Sequence, residues 1–263
     1  MPIDYVKMPA GLVSLTKTAA VSLQKQGLTG RQAAVYLVLD RSGSMRRYYK
    51  DGSMQHLAEQ ALALSANLDD DGVVPLVFFD TEAHDAVDIS LDNYVGRIAK
   101  LHEALGHLGT TNYAAAMDAV INHYLDSDAK APAFVIFQTD GSPDSRRAAE
   151  QTLCKAAKLP IFWQFIGYGD DEFKFLHKLD ELAVPKKRIV DNAGFFPAGK
   201  DPKLIPDAVL YDQLMGEYPD WLRAASTAGI IDGGIILSET GGTPYGVPTR
   251  QGPWSAAPGP ARA

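Results

Sequence analysis

The sequence contains a single cysteine, Cys154, among 263 residues. One cysteine excludes an intramolecular disulfide and a zinc site built from several cysteines. No apolar run reaches the roughly 18 residues that a membrane-spanning helix needs, so we expect no transmembrane span. Residues 1–5 lack the basic, then apolar, then small-residue order of a secretory signal. These absences predict a cytoplasmic protein.

Basic residues are also fewer than acidic residues. The chain carries 25 Lys and Arg residues against 32 Asp and Glu residues, a formal net charge of −7. This balance argues against general nucleic-acid binding, so no nucleic-acid partner is expected. The six histidines show no zinc-like spacing, and no Gly-Lys-Ser/Thr phosphate loop is present. What the chain does have is 46% hydrophobic content, enough for one substantial core.

Short apolar runs alternate with segments in which apolar residues recur every three or four positions, a pattern that predicts strands followed by helices. The predicted strands are 34–40, 73–79, 133–139, 161–167 and 188–191. The predicted helices are 54–68, 94–105, 113–125, 144–158, 172–182 and, last, 207–225. Such alternation implies right-handed crossovers and a mostly parallel sheet covered by helices on both faces. Segment 82–90 is predicted as an antiparallel edge strand. The predicted fold class is therefore a three-layer, doubly wound α/β fold.

Two flanking segments differ from this core. A Val-Ser-Leu-x-Lys phrase at 13–17 recurs at 21–25, and its alternation of apolar and polar residues favours two short strands, with a helix as the alternative. Residues 239–263 are rich in Pro and Gly and cannot bury enough apolar surface to offset the entropy lost on ordering. We predict an N-terminal extension at 1–30, one domain at 31–225 and a flexible tail at 226–263.

Oxygen-bearing side chains are concentrated at predicted strand ends. Asp40, Ser42 and Ser44 follow the first strand, Asp140 follows strand 133–139, and Thr111 precedes a helix. Alternate residues of an extended turn point to the same side, so the first three can face one small cation. In an open α/β sheet, ligands gather at the carboxyl ends of the strands. The pattern predicts a divalent-metal site at that edge.

These three segments, Asp-Arg-Ser-Gly-Ser at 40–44, Gly-Thr-Thr-Asn at 109–112 and Thr-Asp-Gly at 139–141, resemble the metal-ion-dependent adhesion site (MIDAS) of von Willebrand factor type A (vWA) domains. FWQFIG at 162–167 and VDNAGFF at 190–196 are similar to the intracellular, TerF-like branch of that family. That branch is associated with bacterial tellurite-resistance and stress operons, and its metal-site domain is similar to that of copines. The resemblance implies a vWA/Rossmann-like sheet.

The resemblance also implies roles for the five side chains. Ser42, Ser44 and Thr111 would coordinate the ion directly, while Asp40 and Asp140 would often act through bound water. Such a set leaves Mg²⁺, or alternatively Mn²⁺ or Ca²⁺, incompletely neutralised and partly hydrated, because Mg²⁺ keeps several waters in its octahedral shell. A site of this kind is expected to recruit a carboxylate from a protein partner and not to catalyse a reaction.

By analogy with the family, the partner would be a TerD-type protein or another member of a stress or tellurite-resistance complex. The repeat at 13–17 and 21–25 is similar to the opening of TerD-type domains. The main alternative is a metal-dependent hydrolase that acts on a phosphorylated small molecule at the same loops. Ser42 argues against a haloacid-dehalogenase mechanism, because that mechanism requires a carboxylic acid there. A third hypothesis is that the metal merely fixes the loops.

Basic residues flank two of the three segments. Arg41, Arg46 and Arg47 accompany the first, and Arg146 follows Asp140. An acidic protein that concentrates cations around a metal suggests an anionic ligand attracted by the local field. Scattered solubilising charge is the alternative. These four arginines form the predicted partner-binding rim.

Overall fold

The computed structural model of the chain describes residues 8–69, 72–127, 129–184 and 186–231. Its strands are β1 Ala34–Asp40, β2 Val73–Phe79, β3 Val87–Ser90, β4 Ala133–Thr139, β5 Ile161–Tyr168 and β6 Ala193–Gly199. Its helices are α1 Ala10–Lys25, α2 Arg46–Lys50, α3 Ser53–Leu68, α4 Arg97–Ala104, α5 Tyr113–Asp126, α6 Arg146–Ala156, α7 Lys174–Asp180, α8 Asp207–Leu214 and α9 Tyr218–Thr227. Residues 232–263 of the tail predicted at 226–263 lie outside the described residues, as do residues 1–7 of the extension predicted at 1–30.

The strands form one sheet in the order β3-β2-β1-β4-β5-β6. Every neighbouring pair is parallel except β2 and β3, which pair antiparallel at the edge. The central strands β4 and β5 are buried along their whole length, as expected for uninterrupted apolar strands with helices on both faces. The predicted fold class and the antiparallel edge strand are confirmed.

Two hydrophobic cores lie on opposite faces of this sheet. Alternate residues of β1 enter different cores: Val35, Leu37 and Leu39 face α1, α3, α8 and α9, while Tyr36 and Val38 face α5, α6 and α7. The sheet is therefore the middle of three layers. Because all the strands except β3 are parallel, β1, β2 and β4 end at the same edge, and that edge carries the predicted metal site.

The prediction of two short strands from the repeated phrase is wrong, because these residues form the helix α1. Its buried side chains include Leu12, Leu15, Ala19 and Leu23, spaced three and four residues apart on one face that packs against α3 and α8. The alternation within each copy of the phrase concealed this longer period.

Two boundaries near the C-terminal end also differ from the prediction. The last strand is β6, not 188–191, because Arg188 is buried and donates to the carbonyl oxygen of Leu182, which holds that segment in a loop. The predicted helix 207–225 is two helices, α8 and α9, separated by a short segment that contains Gly216. Pro219 lies in the first turn of α9, where a proline is well tolerated because no intrahelical donor is lost.

No helix among the described residues combines the length and the apolar character required to cross a bilayer.

Replacement of Leu23 by Ala tests whether α1 is an integral part of the domain. Leu23 is 3% exposed in the core, so its truncation should lower the free energy of unfolding by about 2–5 kcal/mol. Val21, on the same helix, is 54% exposed, and Val21→Ala should change stability by no more than about 0.5 kcal/mol. Urea denaturation measures both. Equal, small effects would show that α1 is a dispensable extension.

Candidate metal centre

Asp40 ends β1 with its side chain fully buried. One carboxylate oxygen accepts a hydrogen bond of 2.6 Å from the backbone N–H of Ser42, and the other accepts one of 2.6 Å from Oγ1 of Thr139. The hydroxyl of Tyr49 donates to the backbone carbonyl oxygen of Asp40 at 2.8 Å. Burial outweighs these bonds and raises the pKa of Asp40 to about 7. The carboxylate is therefore fixed in one orientation, and burial of its charged form is electrostatically unfavourable.

Ser42, Ser44 and Asp140 form a chain of oxygen atoms beside Asp40. The two serine Oγ atoms lie 3.2 Å apart, and Oγ of Ser44 donates to the carboxylate of Asp140 at 2.9 Å. Asp140 is half-buried, and its burial, followed by smaller effects that include the negative charge of Asp171, raises its pKa. The structure thus brings together four of the five predicted side chains.

The loop that carries Thr111 is joined to the serine loop through Gly109. Gly109 and Ser42 form a parallel bridge, in which the N–H of Gly43 donates to the carbonyl oxygen of Gly109 at 3.3 Å. A Cβ atom at position 109 would lie 2.5 Å from Oγ1 of Thr81 and 2.9 Å from a carboxylate oxygen of Asp80. This contact requires glycine, because any side chain would push the loops apart.

Asp144 joins the Thr111 loop to the Asp140 loop. Its carboxylate accepts from Oγ1 of Thr110 at 2.5 Å and from the N–H of Thr111 at 3.2 Å. Its own N–H donates to the carbonyl oxygen of Thr111 at 2.8 Å. Half-buried Thr111 therefore lies on a loop fastened to both neighbouring loops, at the same edge as the other four residues.

One predicted rim residue is misplaced. Arg41 is 0% exposed, and its guanidinium forms an ion pair of 2.7 Å with the buried carboxylate of Asp80. A residue without solvent access cannot contact a partner, so the assignment of Arg41 to the rim is wrong. The reason is that β1 ends between two loops whose acceptors surround the side chain.

The other rim arginines are exposed. Arg47 donates to the carbonyl oxygen of Lys200, and its guanidinium carbon lies 4.6 Å from the ring centre of Tyr48. Arg146 donates to Oγ of Ser142 at 3.3 Å. These contacts leave Arg46, Arg47 and Arg146 at the surface, where their role toward a partner stays a prediction.

Sequence reasoning missed two residues that support the site, Asp80 and Asp144, and it assigned no role to Thr139 although Thr139 belongs to the predicted Thr-Asp-Gly segment. A signal existed for Asp80, since it directly follows β2 just as Asp140 follows β4. No comparable signal marked Asp144. Its position depends on how the Thr111 and Asp140 loops meet.

Within the described ranges, no group of three or more His, Cys, Asp or Glu side chains is arranged to hold a metal. The site contains two carboxylates, those of Asp40 and Asp140, so an ion bound here would also need hydroxyl oxygens as ligands. Hydroxyl and carboxylate oxygens suit hard cations such as Mg²⁺, Mn²⁺ and Ca²⁺.

The pKa of Asp40 predicts how the metal-free protein responds to pH. The folded-state pKa of about 7 exceeds the ordinary value of 3.8, so the folded protein binds this proton more tightly than the unfolded chain does. In the presence of a chelator, the free energy of unfolding should therefore fall as the pH rises from about 4 to 7 and then level off. Asp40→Asn should make this decline shallower without abolishing it, because burial also raises the pKa of Glu217 to about 7 and that of Asp180 to about 6. At pH 8 the variant should be more stable than wild type by about 2–4 kcal/mol.

Urea denaturation in EDTA across this pH range measures the effect. Asp201→Asn is the control, because the carboxylate of Asp201 is 69% exposed. Parallel pH profiles for wild type and Asp40→Asn would contradict the argument that burial of Asp40 is costly.

Comparisons with known proteins agree with this architecture. A family model described as the vWA found in the TerF C terminus matches residues 32–231. The uncharacterized protein YcbR of Bacillus subtilis (strain 168) is 33% identical over 219 residues, which cover 82% of this chain and 88% of YcbR.

Solved structures with a similar fold include a von Willebrand factor type A protein from Catenulispora acidiphila, with a TM-score of 0.48 and 16% identity over 72% of this chain and 42% of that one. Manganese-loaded TRAP protein of Plasmodium vivax has a TM-score of 0.48 and 21% identity over 70% of this chain and 74% of that one. Proximal thread matrix protein 1 from the mussel byssus, with a zinc-occupied MIDAS motif, has a TM-score of 0.49 and 14% identity over 70% of this chain and 48% of that one.

The chain thus spans less than half the length of two of these structures. On the match to the family model and the identity with YcbR, the chain belongs to the TerF-like vWA family.

Proposed function

We propose that this chain is a non-enzymatic, metal-dependent protein-binding domain. Asp40, Ser42, Ser44, Thr111 and Asp140 would hold Mg²⁺ or a similar divalent ion, and the ion would bind an acidic side chain of a partner. The observation that carries the proposal is the hydrogen-bonded convergence of Asp40, Ser42, Ser44 and Asp140 at one edge of the sheet.

The spacing of these oxygen atoms supports a shared ion. Adjacent ligands of an octahedral Mg²⁺ ion, each about 2.1 Å from it, lie about 3 Å from one another. The two serine Oγ atoms are 3.2 Å apart, and Oγ of Ser44 is 2.9 Å from Asp140. These side chains therefore suit such an ion without a large rearrangement of their loops.

The hydrogen bonds also support a division of roles. Both carboxylate oxygens of Asp40 already accept short bonds, from Ser42 N–H and Thr139, which favours contact with the ion through water. Ser42, Ser44 and Thr111 would ligate directly through neutral hydroxyls. Neutral ligands leave the ion electron-poor, and this favours recruitment of an additional carboxylate from outside.

The charge near the site supports an acidic partner. The site lies on loops that follow rigid strands, and exposed Arg46, Arg47 and Arg146 flank those loops in the chain with positive charge that suits an acidic partner. Membership of the TerF-like family supports a TerD-type protein, or another component of a cytoplasmic tellurite-resistance or stress complex, as that partner.

Metal binding is tested by calorimetric titration of the chelator-treated protein with Mn²⁺. Wild type should bind one ion, whereas Ser44→Ala and Thr111→Ala should weaken binding at least about tenfold, because each removes a direct ligand. Ser142→Ala is the matched control, an exposed serine of the Asp140 loop that contacts only Arg146 in the described hydrogen-bond network. Equal affinity for all four proteins would refute the assignment of the ligands.

Partner binding is tested by affinity purification from the source cell with wild type and Asp40→Ala, each with and without EDTA. A partner that is retained only by wild type and released by EDTA is expected. Turnover of a generic phosphomonoester by wild type with Mg²⁺ or Mn²⁺, absent in Asp40→Ala, would instead support the hydrolase.

A further inference from the structure

Arg41 occupies an unusual position for a charged residue. It lies in sequence between two proposed metal-site residues, Asp40 and Ser42, yet its side chain is 0% exposed. Arginine is almost never fully buried unless it is paired, because desolvation of the guanidinium is costly. Such a residue within a metal-binding loop requires a reason beyond solubility.

The guanidinium of Arg41 contacts two other loops at the same edge. One is the turn after β2, where Nη1 donates to Asp80 at 2.7 Å and lies 3.3 Å from Nε2 of His84. The other is the segment at the end of α4, where Nη2 donates to the carbonyl oxygens of Gly106 at 3.1 Å and His102 at 3.4 Å. Nε also donates to Nδ1 of His102 at 3.4 Å. Arg41 thus holds three chain segments together.

Those segments determine where Thr111 lies. The backbone carbonyl oxygen of Asp80 accepts from the N–H of Asn112 at 2.8 Å, directly beside Thr111. Gly109 packs against Asp80 and Thr81 so closely that no Cβ atom would fit. The ion pair of Arg41 and Asp80 therefore lies where the Thr111 loop meets the Ser42 loop.

A second path of contacts returns from Arg41 to Asp40. The ring of His102, which accepts from Arg41, stacks on Tyr49 with ring centres 3.8 Å apart and an interplanar angle of 8°. The hydroxyl of Tyr49 donates to the backbone carbonyl oxygen of Asp40 at 2.8 Å. Asp40, Tyr49, His102 and Arg41 thus form a closed ring of contacts behind the metal-facing side of the loop.

We propose that Arg41 is a positioning residue of the metal centre, which sets the distance between the Ser42 loop and the Thr111 loop from inside the protein. This inference rests on the proposed function, because it concerns the geometry of that site. Residues that orient metal ligands without touching the metal typically contribute about 10–100-fold in metal affinity. A purely structural Arg41 would instead affect stability alone.

The test is the affinity for Mn²⁺ of Arg41→Lys, measured by calorimetry on the full chain. Lysine keeps the positive charge but cannot reproduce the planar fork that reaches Asp80, His102 and Gly106 together. The dissociation constant should rise about 10–100-fold at unchanged stoichiometry. Arg223→Lys is the matched control, since Arg223 lies on α9, outside the loops of the metal centre, with its side chain 72% exposed, and it should bind as wild type does.

His102→Ala provides a second, milder variant in case Arg41→Lys does not fold. It removes one acceptor of Arg41 and the stacking partner of Tyr49 but keeps the ion pair with Asp80, so the dissociation constant should rise about tenfold, the lower end of the effect of such residues. Circular dichroism and the stoichiometry of binding report the folded fraction.

The positioning role would be overturned if the folded variants bound Mn²⁺ at full stoichiometry with the same dissociation constant as wild type. If wild type itself fails to bind Mn²⁺, the proposed function fails and the inference with it. If wild type binds and the variants bind equally well, only the inference fails.

Discussion

Burial of the Asp40 carboxylate is the constraint on which the rest of the site depends. A carboxylate at the end of a central strand is removed from water, and the two hydrogen bonds that it accepts do not fully compensate for this loss. The same burial holds the side chain in one orientation toward the serines of the next turn. The protein thus retains an arrangement that is unfavourable on its own and that a nearby cation would relieve.

The neighbouring buried charges follow from the same placement. Asp80 directly follows β2, the strand beside β1, and a second unpaired buried carboxylate there would be costly, but Arg41 forms an ion pair with it at 2.7 Å. The two acids therefore differ in character. Asp80 is paired with a basic residue, whereas the described hydrogen-bond donors to Asp40, the N–H of Ser42 and the hydroxyl of Thr139, are neutral. For this reason the proposed metal site is centred on Asp40, and Asp80 is assigned to the framework.

The parts of the fold that were predictable are those that local patterns specify. The apolar runs of β1, β2, β4 and β5 are long enough to indicate buried parallel strands, and their predicted bounds agree closely with the structure. The errors occur where a second pattern competed. In α1, alternation within a short repeat concealed a helical face. At Arg188, a buried side chain bound to a carbonyl oxygen held an apolar segment out of the sheet. Gly216 lies between α8 and α9, where one helix was expected.

For the candidate site, local sequence was enough to identify which oxygen-bearing residues stand at strand ends, because each lies within a few residues of the apolar run that places it. Parallel strands that share an edge then bring Asp40, Ser42, Ser44 and Asp140 together. The direction of the Arg41 side chain, in contrast, depends on contacts between distant parts of the folded chain. Its acceptors Asp80 and Gly106 are 39 and 65 residues away in the chain, so no local pattern could distinguish a buried guanidinium from an exposed one. The same holds for Asp144 and the Thr111 loop, whose contact exists only because the loops that precede α5 and α6 lie side by side in the folded chain.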